Sequence, residues 1–90
     1  MLTKNMALEL AAYNIQVNQV TPGVIATELT DPDRQKQFLT AVPAARVGQP
    51  SEIASTICYL ASSEADYITG RSFVVDGGLT LGFCASRPDL

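Results

Sequence analysis

Leu2, Met6, Ala7, Leu10 and Ala11 recur at helical spacing with Lys4, Asn5 and Glu9 between them, which predicts an amphipathic helix whose apolar stripe faces a core. Its sole capping candidate, Thr3, has no acidic residue three positions on, so the pattern starts at full strength and Met1 reads as an internal methionine. The helix is expected to end at Ala12-Tyr13-Asn14, with Asn14 in the left-handed conformation. Ile15 to Val20 then reads as a strand stopped by Thr21-Pro22-Gly23. Asp31-Pro32-Asp33 offers an N-cap, a first-turn proline and an early carboxylate for a short helix with Phe38, Leu39 and Val42 on its buried side and Pro43 at its end. Pro50-Ser51-Glu52 opens the best-patterned helix, with Ile53, Ala54, Ile57, Leu60 and Ala61 as its stripe. Ser63 and Asp66 suggest a capping box on a single turn, and Ser72-Phe73-Val74-Val75 reads as a second strand ending at Asp76-Gly77-Gly78.

Two strands separated by about fifty mostly helical residues imply a parallel pair joined by a right-handed crossover. Parallel sheets are covered on both faces and seldom stop at two strands. The expected fold class is therefore α/β: the C-terminal part of a doubly wound, Rossmann-type parallel sheet, with two strands and three main helices. Residues 1–90 are read as one piece of a single domain, with 82–90 as a tail that carries no periodicity.

Composition narrows the chemistry. The 90 residues are 47% hydrophobic and 17% charged, as in an ordinary globular domain, and too few to bury a large core unaided. The net charge of −3 and the scattered Lys4, Arg34, Lys36, Arg46, Arg71 and Arg87 argue against nucleic acid as a partner. With no histidine, Ser-His-Asp and Cys-His catalysis and His-ligated metals are excluded. Cys58 and Cys84 form no Cys-x-x-Cys pair, and two separated thiols without a signal peptide or an apolar span suggest a cytoplasmic protein that is not bound to a membrane.

The chemistry-bearing candidate is the turn after the first strand. In open α/β sheets ligands bind beside the carboxyl ends of the strands. There Pro22 fixes the chain direction, Gly23 permits close backbone approach, and Thr27 offers a hydroxyl and an N–H. A plain turn followed by a solvated threonine has the same residues.

The order of motifs bears on that choice. Met6-Ala7-Leu8-Glu9-Leu10-Ala11 leading into Ile15-Gln16-Val17-Asn18-Gln19-Val20-Thr21-Pro22-Gly23-Val24-Ile25-Ala26-Thr27 resembles the last third of the short-chain dehydrogenase/reductase family, with its A-L-E-L-A and I-x-V-N-x-V-x-P-G-x-I-x-T pattern. Arg46-Val47-Gly48-Gln49-Pro50-Ser51-Glu52-Ile53-Ala54, Tyr59-Leu60-Ala61-Ser62, Tyr67-Ile68-Thr69-Gly70 and Val74-Val75-Asp76-Gly77-Gly78 resemble its R-x-G-x-P-x-E-I-A, F-L-A-S, Y-I-T-G and V-D-G-G segments, in the same order.

The resemblance implies a nicotinamide-dependent oxidoreductase using NAD or NADP on a small carbonyl or alcohol substrate, working as a homo-oligomer. It implies that Pro22, Gly23, Ile25 and Thr27 hold the nicotinamide carboxamide and a nearby phosphate, and that Asn18 supports their loop. Residues 26–47 would be the substrate lid, and Asp76 a structural turn residue. The family's G-x-x-x-G-x-G phosphate loop has no counterpart: Gly78 and Gly82 are followed by Cys84. Its catalytic Tyr-x-x-x-Lys has none either, because Tyr13, Tyr59 and Tyr67 have Val17, Ser63 and Arg71 four residues on. The expectation is a cofactor-loop and lid portion with no catalytic residue and no metal site of its own; the alternative is a non-catalytic remnant or oligomerisation module.

Overall fold

A computed structural model of the chain describes residues 1–27 and 32–82. Asp31, the side chain of Phe38, Cys84 and the tail beyond Gly82 lie outside the described residues. Helix α1 spans Leu2–Leu10 and tightens into a 3₁₀ turn over Ala11–Tyr13. Asn14 closes it at φ 57° and ψ 39°. Its N–H donates to the Ala11 carbonyl at 3.0 Å and the Ile15 N–H to the Leu10 carbonyl at 3.2 Å, the paired closure for which asparagine tolerates a left-handed backbone. At the other end Met1 occupies the cap position without a side-chain hydrogen bond, while the Thr3 hydroxyl donates to Gln19 Oε1 at 3.2 Å.

Strands β1, Gln19–Pro22, and β2, Ser72–Val75, pair in parallel, from Gln19 opposite Ser72 to Pro22 opposite Val75. β2 has its predicted bounds. β1 starts at Gln19 rather than Ile15, because the chain facing residues 15–18 is a turn with Gly70 at φ 76° and offers no ladder. Individual bonds serve instead: Val17 N–H donates to Thr69 Oγ1 at 3.0 Å, and Gly70 N–H to the Val17 carbonyl at 2.7 Å. β1 also runs on through Pro22. The Gln19 and Gly23 N–H groups both donate toward β2, at 2.9 and 3.0 Å, so alternation turns the Pro22 nitrogen to the opposite edge, where a missing N–H costs no ladder bond.

Helix α2 spans Pro32–Leu39 and stops four residues before Pro43. Proline disfavours helical backbone at the residue before it, and Val42 instead joins a turn in which its carbonyl accepts from Ala45 N–H at 2.8 Å. Helix α3 spans Pro50–Ala61, as its pattern predicts. The expected Ser63–Asp66 capping box does not form: Ser62 precedes the 3₁₀ turn Ser63–Ala65, and its hydroxyl donates back to the Tyr59 carbonyl at 2.6 Å.

Among the described residues the buried apolar side chains are Ala7, Val42 and Ala65. The α1 stripe, expected to face a core, buries Ala7 but leaves Leu2 73% and Met6 40% exposed, and Ile57 of α3 is 51% exposed. α3 packs on β1, leaving between them an open groove of about 410 Å³ lined by Gln16, Asn18, Val20, Ile57, Leu60 and Ala61. No helix among the described residues is long and apolar enough to cross a membrane.

Candidate functional site

The carboxyl end of β1 delivers Gly23 against the turn after β2. A Cβ on Gly23 would lie 2.6 Å from Asp76 Cβ and 2.8 Å from Asp76 Cα, so the close approach this glycine permits is to the chain's own second turn. Beyond it, Val24 to Ala26 runs beside Gly48: the Gly48 N–H donates to the Val24 carbonyl and the Ala26 N–H to the Gly48 carbonyl, each at 2.8 Å. This is a parallel bridge with Ile25 opposite Gly48. Backbone alternation then points the N–H and C=O of Ile25 away from Gly48, and neither makes a hydrogen bond among the described residues. A donor and an acceptor side by side on an edge match the needs of a primary carboxamide. Thr27 is exposed two residues further on. Pro22, Gly23, Ile25 and Thr27 thus lie on one stretch, with Pro22 and Gly23 shaping the backbone, Ile25 turning its N–H and C=O outward and Thr27 exposed at the end.

Asp76 is committed to its turn. Oδ1 accepts from Gly78 N–H at 2.9 Å, while Oδ2 accepts from the Thr80 hydroxyl at 2.8 Å and from Thr80 N–H at 2.9 Å. These bonds, the Thr80 hydroxyl foremost, hold the carboxyl below the ordinary aspartate range. Gly77, at φ 63°, has no room for a side chain: a Cβ there would lie 2.9 Å from Val42 Cγ1 and 3.0 Å from Ala44 Cβ. The Ala44 N–H donates to the Gly77 carbonyl at 3.0 Å, so the returning arm of the 26–47 stretch is seated on the turn.

Asn18 is placed differently from its expected role. Its Nδ2 donates to the Ile68 carbonyl at 3.0 Å and its Oδ1 accepts from Arg71 N–H at 3.1 Å, bridging the turn before β2. That is the amino end of the sheet, with all of β1 between Asn18 and the Gly23 loop, a separation of roughly 16 Å at strand rise. The sheet has no ladder there, and the amide takes the place of one.

An ion pair went unseen in the sequence. Arg46 Nη1 and Nη2 meet Glu52 Oε1 and Oε2, each at 2.8 Å, and Oε1 also accepts from Gln49 N–H at 2.9 Å at the start of α3. A six-residue separation is no helical spacing; the available signals were a glutamate three residues after Gln49 and an arginine in the loop ahead. The Arg46 hydrogen bonds, followed by that of Gln49, lower the Glu52 carboxyl from 4.5 to about 2. The folded chain therefore binds this proton more weakly than the unfolded one, so the pair's contribution is complete above 4.5 and is lost as pH falls toward about 2. An NMR titration of the Glu52 carboxyl carbon, with residues 1–82 folded as part of a full-length reductase, should find its midpoint near 2; a midpoint at 4.5 would mean the pair is not formed. The pair forms one wall of a cavity of about 50 Å³, with Val24, Ile25, Asp76 and Gly77 on other sides.

Residues 1–80 match the family described as enoyl-(acyl carrier protein) reductase. The 3-oxoacyl-(acyl-carrier-protein) reductase FabG of Staphylococcus aureus is 47% identical over 81 residues, covering 87% of this chain and 33% of that protein. Nodulation protein G of a Rhizobium species is 45% identical over 82 residues, covering 88% and 34%. Among solved structures, an acetoin dehydrogenase from Enterobacter cloacae superposes with a TM-score of 0.79 at 48% identity, covering 97% of this chain and 34% of its own. A 4-hydroxyisoleucine dehydrogenase complexed with NADH and succinate gives a TM-score of 0.82 at 46% identity, covering 90% and 34%. The chain spans about a third of the length of the curated relatives it matches.

Proposed function

This chain belongs to the short-chain dehydrogenase/reductase family, and we propose that it provides the C-terminal part of a Rossmann-type oxidoreductase that moves a hydride between NAD or NADP and a small carbonyl or alcohol. The observation that carries this reading is the unengaged donor and acceptor of Ile25 at the carboxyl end of β1. When bound, the nicotinamide supplies the hydride acceptor or donor. Ile25 orients its carboxamide through N–H and C=O, and the bridge to Gly48 keeps the Ile25 peptide at a fixed angle. Thr27 offers its hydroxyl and N–H to a phosphate oxygen. The arm seated on Gly77 sets one side of the substrate space.

The proton that accompanies the hydride comes from residues outside these 90, since none of the three tyrosines has a lysine four positions on. Exposed apolar side chains on α1 and α3 suit assembly with further copies, and the free Cys58 thiol suits a reducing cytoplasm. The choice between NAD and NADP is set by residues beyond this stretch.

The test is a graft in which residues 1–82 replace the matching third of the S. aureus reductase, titrated with NADH and NADPH by fluorescence. The folded graft should bind one of them, and Thr27→Ala should weaken that binding by about 1–2 kcal/mol, the scale of one hydrogen bond to a charged group. Unchanged affinity in the variant would make Thr27 a plain loop residue. A folded graft that binds neither cofactor would sink the reading.

A further inference from the structure

We propose that Glu52 is a positioning residue for the Val24–Thr27 stretch, acting through Arg46 and the loop around Gly48. The inference rests on the reading of that stretch as the nicotinamide loop. Val24 and Ala26 hang on one residue: both bridge hydrogen bonds go to Gly48. Gly48 lies in neither a helix nor a named strand, so its place depends on what holds its neighbours. One carboxylate does so on both sides. Two residues before Gly48, Arg46 is gripped by both Glu52 oxygens, and one residue after it the Gln49 N–H donates to Oε1. Arg46 Nη1 also donates to the Val47 carbonyl at 3.2 Å, closing the loop on itself.

Gly48 in turn presents bare backbone to Ile25: a Cβ there would lie 2.8 Å from Ile25 Cδ1. The Ile25 side chain seats on that surface while its peptide faces outward. Ordering a loop residue carries an entropic cost, and here that cost is met before any ligand arrives. A helix cap alone explains less. It requires Glu52 and the Gln49 N–H, whereas Arg46 plays no part in it. The bidentate geometry joins the cap to the loop and separates this pair from an ordinary surface ion pair.

The graft described above serves for the test, read by amide hydrogen exchange and by NADH and NADPH affinity. Glu52→Gln keeps an acceptor for Gln49 and loses the ion pair; Arg46→Met loses the pair and leaves the cap intact. Each should speed exchange of the Ala26 and Gly48 amides by about two- to fivefold and weaken cofactor binding similarly. The Gly23 amide, bonded to Val75, serves as the unmoved internal control. The double variant should do no more than either single one, as for two halves of one interaction.

The inference is overturned if Arg46→Met leaves Ala26 and Gly48 unmoved, if Gly23 speeds up equally, or if the two effects add. It is overturned too if exchange rises while affinity stays constant in a graft that binds cofactor. A graft that shows the exchange pattern and binds no cofactor would instead defeat the functional reading and leave the fastening of the loop standing.

Discussion

Purified on its own, the 90-residue chain is expected to oxidise neither NADH nor NADPH against any carbonyl compound, nor to reduce NAD or NADP against any alcohol. Hydride transfer needs a cofactor held by its phosphates and a proton donor beside the carbonyl. Phosphate binding in doubly wound folds uses a glycine turn feeding a helix N-terminus. The glycines at 77 and 78 feed a 3₁₀ turn of three residues, Leu79–Leu81, with Asp76 occupying the N–H groups of Gly78 and Thr80. The carboxylate sits where an anion would have to bind, so the turn repels what a phosphate loop attracts. Tyr67, the one tyrosine followed four residues later by a cation, is fully exposed in the loop before β2, at the end of the sheet opposite the Gly23 loop. Spectrophotometric assay of rigorously purified chain should therefore match buffer. Sustained turnover that Tyr67→Phe abolishes would refute this and relocate the site.

The second expectation concerns what the same chain does in solution: at micromolar concentration it should sediment as associated species and lack a cooperative monomeric unfolding transition. Leu2, Leu8 and Leu81 are 73%, 80% and 90% exposed, an arrangement a stable monomer avoids. The two strands carry four residues each and have no further neighbour among the described residues, which leaves backbone donors and acceptors unpaired along both edges. A two-stranded sheet needs more strands or helical cover to be stable in water. Sedimentation velocity combined with a urea titration decides the matter. A soluble monomer that unfolds cooperatively with several kcal/mol of stability would establish these 90 residues as a domain in their own right. Leu2→Lys with Met6→Lys should reduce association by removing the exposed part of the α1 apolar stripe; an unchanged sedimentation profile would assign the association to the strand edges.

The parts legible in the sequence were those fixed by local chemistry. Asn14 closing α1, the Pro50 start of α3 and the four residues of β2 follow from propensity, capping and alternation within a few positions. What was misread depends on partners distant in the chain. Residues 15–18 alternate like a strand and are not one, because their neighbour fifty residues later is a turn. The resemblance implies that Asn18 supports the Gly23 loop, whereas its amide bridges the opposite end of the sheet through residues fifty positions later. The Arg46–Glu52 pair crosses from a loop to a helix start, where no periodicity announces it. Of the candidate site, the strand end at Pro22-Gly23 was readable from its residues, while the Ile25–Gly48 bridge and the support beneath it were not.

The contact between Gly23 and Asp76 has an evolutionary corollary. The two positions stand fifty-three apart in sequence and touch through atoms that no rotamer change can move, since one is backbone and the other a Cα and Cβ. A methyl group gained at position 23 would have to push the entire second turn aside, and with it the Val42–Ala44 arm seated on Gly77. Neither site can drift alone. In descendants of this sequence a side chain at position 23 should be found only where the turn at 76–78 has been rebuilt as well, so that the two loops are inherited as one piece.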